Sequence, residues 1–532
     1  MNRQAHDQSL TNSCIKYDAT KNQVRQATAL LKDSARRKFV RREMQFLEKS
    51  TIILLHQIPN SVTCQKSSQT GEEIVARGQA GSNTGTAFAR AGQASKDSFA
   101  RARLVFPDGT SRVTIERDPE PVYIERGSGS YVFDIDGRRF LDLNCNFTTL
   151  IHGHAFAPVV EALTDQLQRG SCFANPTRGE IELAELLCDR IPRVDRVRFV
   201  NTGTEAVLFA VKAARAFTGR AKIAKLEGAY HGAYDWVEVS QAATPDNWGD
   251  PASPNSAPFY RGMPQSVLDE VVVLRFNDIE GARRLLSLHA RDLAAVVLDP
   301  MPSRGGLTAP KAEFIAAVQQ AARDNGVLVI ADEVLNLRQG FEGAAARYGL
   351  VPDLVTMGKI IGGGLPIGAI GGREDVMKVF DASAGRPLLP QGGTFSANPL
   401  SMIAGLASMR HLDHAAFAHL ETLGNFVRDG ISRAIEKRGV SLCVTGAASL
   451  FRIHPMARPP IDYRDAYPTP GGAALMKELT RFFAANGIIL PYGAAAALST
   501  PMTRADAEVV IEVFEGFLDN HQNELDGIEV QK

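Results

Sequence analysis

The sequence has no excess of charge of either sign: its 59 basic side chains are matched by 59 acidic ones across 532 residues. Such a balance creates no broad attraction to nucleic acid or to an anionic membrane, so neither is expected as a partner. Paired cysteines are also missing. The six present, Cys14, Cys64, Cys145, Cys172, Cys188 and Cys443, form no C-x-x-C motif and no regular framework, which fits free thiols in a reducing compartment. No window approaches the ~18 consecutive apolar residues of a membrane-spanning helix, and the first thirty residues hold no apolar segment of the secretory kind. No internal repeat is present. A cytoplasmic protein with a small-molecule ligand is the expectation, and no metal site is expected.

What is there is an ordinary globular composition, 44% hydrophobic and 22% charged, in a chain long enough for two or three domains. Residues 1–100 stand apart. They hold a basic, helix-compatible run over 21–49, a short apolar patch at 52–55, and a Gly/Ser/Ala/Gln-rich stretch to about residue 98. Without the large apolar residues of a core, this segment is expected to be a flexible or poorly ordered extension. Two apolar runs then flank Asp136-Gly137, a strong hairpin signal over 131–141. Beyond Gly179 short apolar runs at 197–200, 293–298, 327–330 and 354–356 alternate with helical periods at 181–190, 205–217 and 311–325. Alternation of this kind predicts βαβ units and a mostly parallel sheet covered by helices. Helical segments at 400–412 and 419–437, followed by short strands, predict a smaller α+β domain. The expected division is 101–165 as the N-terminal part of a small domain, 166–397 as the large domain, and 398–532 as the C-terminal part of the small domain.

Three segments carry candidate chemistry. Asn201-Thr202-Gly203-Thr204-Glu205-Ala206 follows a strand and opens a helix, so free N–H groups, threonine hydroxyls and the helix dipole could hold a phosphate there. The same residues also read as an ordinary N-cap with an acid in the first turn. Asp332 falls at the carboxyl end of a buried strand, the edge where open α/β sheets bind ligands. Asp332 could hold a pyridinium nitrogen protonated or merely cap the following turn. Lys359 stands alone between apolar residues and before Gly362-Gly363-Gly364. Burial would lower its pKa and free the neutral amine to attack an aldehyde.

Six motifs occur in one order: 198–206 (RFVNTGTEA), 216–220 (AFTGR), 228–232 (GAYHG), 331–334 (ADEV), 358–364 (GKIIGGG) and 393–399 (GTFSANP). Over roughly residues 103–520 the chain resembles class III aminotransferases, which are pyridoxal 5′-phosphate (PLP) enzymes of fold type I. Within that family it most resembles the branch of glutamate-1-semialdehyde 2,1-aminomutase and the β-amino-acid aminotransferases. The resemblance implies a seven-stranded, mostly parallel large domain that binds PLP, and a homodimer. It implies that Lys359 carries PLP as a Schiff base and then moves the proton, and that Asp332 pairs with the ring nitrogen. Val334 and Tyr230 would lie on the two ring faces, and Gly203 and Thr204 would bind the phosphate. Thr394 would reach the phosphate site of the neighbouring subunit. Taken from the residues alone, Tyr230 could equally be a core aromatic.

For the substrate, Arg112 lies where this branch has a loop whose arginine binds a carboxylate, a role suited to the guanidinium fork. It could also be a surface arginine after a turn. Phe147 reads as a pocket wall or as core, and Arg304 as an added cation near the cofactor ring. The 109–112 loop, the 299–304 segment and 491–494 all depart from the aminomutase pattern. The expected activity is therefore transfer of an amino group from a donor to a keto acceptor by way of pyridoxamine phosphate. The alternatives are intramolecular amine exchange, as in the aminomutase, and a non-catalytic binding or regulatory subunit.

Overall fold

Six successive apolar residues, Leu293–Leu298, are buried on both faces, which a strand achieves only between two layers of helix. The computed structural model describes residues 91–522, apart from 118–119 and 494, together with residue 525. In it Leu293–Leu298 is a central strand of a seven-stranded sheet. The seven strands are numbered in chain order: β1 Arg196–Val200, β2 Lys222–Leu226, β3 Val271–Leu274, β4 Leu293–Leu298, β5 Leu328–Asp332, β6 Leu354–Gly358 and β7 Gly368–Gly372. Their order across the sheet is β1-β7-β6-β5-β4-β2-β3. Only β7 runs antiparallel to its neighbours; the other pairings are parallel.

Helix Gly203–Thr218 packs on one face through Ala206, Val207, Ala210, Val211, Ala213 and Ala214, all fully buried. Its small side chains let the helix axis come close to the sheet. Helices Ile279–Leu288 and Ala312–Asn325 cover the other face around Phe314, Ile315 and Val318. The expected α/β fold of type I is therefore present, with helices close to the predicted spans.

Strand β7 was not legible as a strand, because three of its five residues are glycine, which weakens a strand in isolation. The reason lies in its neighbours. A Cβ on Gly368 would stand 2.0 Å from the Thr202 carbonyl oxygen, so only glycine lets β7 pair with both β1 and β6.

The hairpin Tyr131–Asp134 and Arg139–Asp142 forms about Asp136-Gly137 and joins Ile124–Ser128 and Ile488–Ile489 in a four-stranded sheet. Residues near both ends of the described chain thus share one sheet, and Ile488 pairs with Leu141 in parallel. Helices His414–Arg438, Pro470–Ala485 and Arg504–Asn520 pack with this part in one large apolar cluster. Up to residue 90 the expected loose extension lies outside the described residues. Just beyond, Gln93–Ala102 is a helix. The Asp136 carboxylate holds its first turn, accepting from Ala94 N at 2.9 Å, Ser95 N at 3.1 Å and Ser95 Oγ at 2.8 Å. A tertiary contact, not an apolar face, orders this helix. Among the described residues no helix is long and apolar enough to cross a membrane.

Candidate active site

Because β1, β2, β4, β5 and β6 are all aligned, the segments that follow them gather at one edge of the sheet. These segments carry Gly203 and Thr204, Tyr230 and His231, Asp299 and Arg304, Asp332 and Val334, and Lys359.

Asp332 is 5% exposed. Its Oδ2 lies 2.6 Å from His231 Nδ1, and its Oδ1 accepts from Thr356 Oγ1 at 2.9 Å and from Val334 N at 3.1 Å. An ionised carboxylate only accepts, so His231 Nδ1 must carry the proton. Burial lowers the His231 pKa against the pull of Asp332, which leaves a neutral ring whose buried Nε2 has no partner among the described residues. Three donors around one carboxylate fix its direction at the edge of the sheet.

Lys359 has φ +49, a left-handed conformation in a non-glycine residue. Burial brings its pKa down from 10.5 to about 8, with Arg338 pushing the same way and Asp332 and Asp299 pulling it back up. Beside it, burial and the Asp332 charge raise the Asp299 carboxyl well above its usual range. Asp299 accepts from Met301 N at 2.9 Å and from Asn336 Nδ2. Glu333 points away from the cluster, accepting from Ala344 N at 3.2 Å and from Ala345 N. Burial pushes its carboxyl up to about 7.

At the start of helix Gly203–Thr218, the Thr202 side chain accepts from Glu205 N at 3.1 Å, while the N–H groups of the first turn have no intrahelical partner. A Cβ on Gly203 would meet Val334 Cγ1 at 2.8 Å, so the backbone there is bare. Ala233 N donates to Thr204 Oγ1 at 3.2 Å and docks the 228–233 segment on this cradle. Tyr230 is 55% exposed, and the Arg304 guanidinium lies 5.5 Å from its ring centroid. Arg304 Nη1 donates to the Gln241 carbonyl at 3.0 Å.

On the substrate side, Arg112 is exposed and its Nη1 donates to Asn146 Oδ1 at 3.1 Å. Asn146 and Phe147 belong to a turn, Cys145–Thr148, whose four residues all have positive φ, 47, 49, 54 and 73°. Left-handed backbone costs a non-glycine residue roughly 1–2 kcal/mol, so surrounding contacts must hold this turn. Phe147 is half-buried within it. Thr394 lies on an exposed stretch with Phe395.

The structure thus brings Asp332, Lys359, Val334, Gly203 and Thr204 to one edge, and Arg112 to the turn that bears Phe147. His231, Thr356, Asn146 and Arg338 were given no role in the sequence. His231 could have been found from its place beside Tyr230; nothing local marks the other three.

A bare helix start, a directed carboxylate and a lysine of lowered pKa at the carboxyl edge of this sheet fit an enzyme of PLP fold type I. The chain belongs to the class III aminotransferase family: the family model described as Aminotransferase class-III matches residues 113–489. Enzymes of this family depend on PLP, and the groups at the sheet edge fit it. The chain is 35% identical over 401 residues to the glutamate-1-semialdehyde 2,1-aminomutase of Methanobrevibacter smithii, covering 75% of this chain and 91% of the relative. It is 45% identical to an omega-transaminase from Sphaerobacter thermophilus, with a TM-score of 0.79 over 81% of this chain and 98% of the other. To a β-phenylalanine aminotransferase from Variovorax paradoxus it is 31% identical, with a TM-score of 0.73 over 81% and 94% of the two chains.

Proposed function

We propose that the enzyme moves an amino group between two separate molecules, a carboxylated amino donor and a keto acceptor, with Lys359 as the residue that binds PLP and moves the proton. The observation that carries this reading is the lysine amine brought to about 8 beside a carboxylate held by His231 and Thr356. When bound, PLP supplies an electron sink for the carbon that loses its proton. The rest is the work of the protein. Lys359 Nζ accepts the proton from the substrate carbon and returns it on the other side of the transfer, which its lowered pKa permits near neutral pH. The Asp332 carboxylate, fixed in direction by its three donors, would hold the proton on the ring nitrogen. Gly203 and Thr204 bind the phosphate at the helix start, while Tyr230 and Val334 confine the ring. Arg112 takes the substrate carboxylate through its fork, Phe147 bounds the substrate side chain, and Arg304 supplies a second cation behind Tyr230.

Transfer between two molecules is supported by the departures at 109–112, 299–304 and 491–494 and by the 45% identity to an omega-transaminase. The 35% identity to an aminomutase supports the second reading, exchange within one molecule. Incubating the purified holoenzyme with single amino donors and following the cofactor spectrum decides between them. Intermolecular transfer converts the cofactor to its amine form without an acceptor and regenerates it when a keto acid is added. Conversion of glutamate-1-semialdehyde to 5-aminolevulinate with no second substrate would establish the mutase instead. The reading includes a homodimer, with Thr394 completing the neighbouring subunit's phosphate site, and a cytoplasmic location. It is supported by the exposure of Thr394 and Phe395 and by the free cysteines among the described residues.

A further inference from the structure

Four successive left-handed residues persist only when both ends of the run are fixed. The start of Cys145–Thr148 is held locally: Asp142 Oδ1 accepts from Asn144 N at 2.9 Å and Cys145 N at 3.1 Å, and Asn144 Oδ1 accepts from Phe147 N. At the far end two local bonds, Thr148 N to the Asn144 carbonyl and Leu150 N to the Cys145 carbonyl, both at 2.9 Å, are joined by a remote one. The Thr148 carbonyl accepts from Arg338 Nη1 at 2.8 Å, and the buried Thr148 hydroxyl has no partner among the described residues.

Arg338 is 0% exposed. Its other nitrogens donate to the Leu498 carbonyl and, at 3.0 Å, to Ser449 Oγ. All three acceptors are neutral, so the guanidinium is buried with no carboxylate bonded to it among the described residues, an arrangement that is costly for stability. What it supplies is a rigid planar fork joining three segments of chain. Arg338 lies on the short helix Asn336–Gln339, which follows β5 and Asp332. It therefore ties the turn to the segment that follows the site's acid. The turn in turn presents Phe147, and Asn146, whose Oδ1 holds Arg112.

We propose that Arg338 is a positioning residue for carboxylate recognition: by clamping Thr148 it holds the left-handed turn whose Asn146 orients Arg112. This rests on the reading that Arg112 binds the substrate carboxylate, and the experiment separates the two. Arg338→Lys keeps the positive charge near Lys359 but loses the fork. In the holoenzyme, kcat/KM is measured for a β-amino acid and for the amine left when its carboxylate is removed, in wild type, Arg338→Lys, Asn146→Ala, the double variant and Arg112→Ala. Calorimetry on the same proteins gives the affinity for a non-reacting probe, phenylpropionate.

Arg338→Lys is expected to lose roughly 10- to 100-fold on the amino acid and on phenylpropionate affinity, with a much smaller loss on the amine. In the Asn146→Ala background the Arg338→Lys loss on the amino acid should largely vanish, since both act through one turn. Thr148→Gly, which adopts positive φ without steric cost, should restore part of the loss. If Arg338→Lys does not fold, Ser449→Ala removes one of the three tethers and should show the same selectivity at smaller size. Equal losses on acid and amine, or strictly additive effects with Asn146→Ala, would overturn the proposal. If Arg112→Ala is selective for the acid and the Arg338 and Ser449 variants are not, only this inference fails. If Arg112→Ala is itself unselective, the carboxylate reading beneath it fails.

Discussion

Lys359 and Asp332 are shaped by their surroundings in different ways: burial lowers the pKa of the amine to about 8, while three donors fix the direction of the carboxylate. Cofactor uptake by the apoprotein should follow the neutral amine. Its second-order rate is expected to rise about tenfold per pH unit below about 8 and to level off above it; a rate flat from pH 6 to 9 in stopped-flow absorbance would show the amine to be unperturbed. Lys359→Ala should abolish covalent attachment, read by borohydride reduction and peptide mapping. Asp332→Asn should retain PLP but slow single-turnover transfer by orders of magnitude, because an amide cannot hold the ring nitrogen's proton.

A second buried lysine has no part in this chemistry. Lys225 is fully buried, its Nζ donating to the Leu226 and Val239 carbonyls at 3.0 and 2.8 Å, and burial brings its pKa from 10.5 to about 7. Between those values the unfolded chain holds a proton that the folded chain has lost, so stability rises with pH. Below about 7 both states are protonated and the penalty is complete. Relative to Lys225→Met, wild type should therefore gain stability as pH is raised from 7 to 9, measured by urea midpoints. Parallel pH profiles for the two proteins would remove the claim.

At the scale of elements, the loop that bears Arg112 is organised from within by Arg117. Its guanidinium donates to the Asp108 carbonyl at 3.3 Å, the Val113 carbonyl at 3.2 Å, the Ile115 carbonyl at 2.6 Å, the Arg112 carbonyl at 2.7 Å and the Thr110 hydroxyl. It also pairs with the Asp108 carboxylate at 2.6 Å. Removing this hub by Arg117→Ala should raise KM for carboxylated substrates several-fold and leave the melting temperature nearly unchanged, since the loop is exposed and adds little to the core. A large fall in melting temperature would make Arg117 a stability residue instead. Strand β7 shows the opposite balance. Gly368→Ala forces a methyl group against the Thr202 backbone, so it should cost about 1–3 kcal/mol or more by urea denaturation and weaken PLP binding through the displaced phosphate cradle.

For the whole molecule, the helix Gln93–Ala102 is tied to the hairpin, because Asp136 in the hairpin turn completes its first turn. Removing residues 1–90 is expected to leave the cofactor spectrum and melting temperature intact, whereas removal through residue 102 should lower stability by exposing Asp136 and freeing the hairpin. An insoluble product of the shorter deletion would show that the first ninety residues belong to the fold. The proposed homodimer predicts a second whole-molecule outcome: light scattering should give twice the chain mass, and Thr394→Ala should weaken PLP affinity. A fully active monomer would rule out the shared site.

Sequence by itself determined the family, the α/β alternation and most of the helices, together with the residues that the resemblance singled out at the carboxyl edge. These are local properties: hydrophobic period, a hydroxyl-glycine helix start, an acid ending an apolar run, a lysine before glycines. Tertiary structure decided everything that depends on residues distant in the chain. Gly368–Gly372 reads as a loop until the Thr202 backbone explains why a strand there must lack side chains. His231 acquires a role only when β2 and β5 bring it to Asp332. Arg338 and Thr148 are 190 positions apart, and no propensity of residues 145–148 predicts a left-handed run. A hydrogen bond from the far side of the fold joins the local ones that hold that backbone, and a contact over such a separation leaves no periodicity in the sequence to be read.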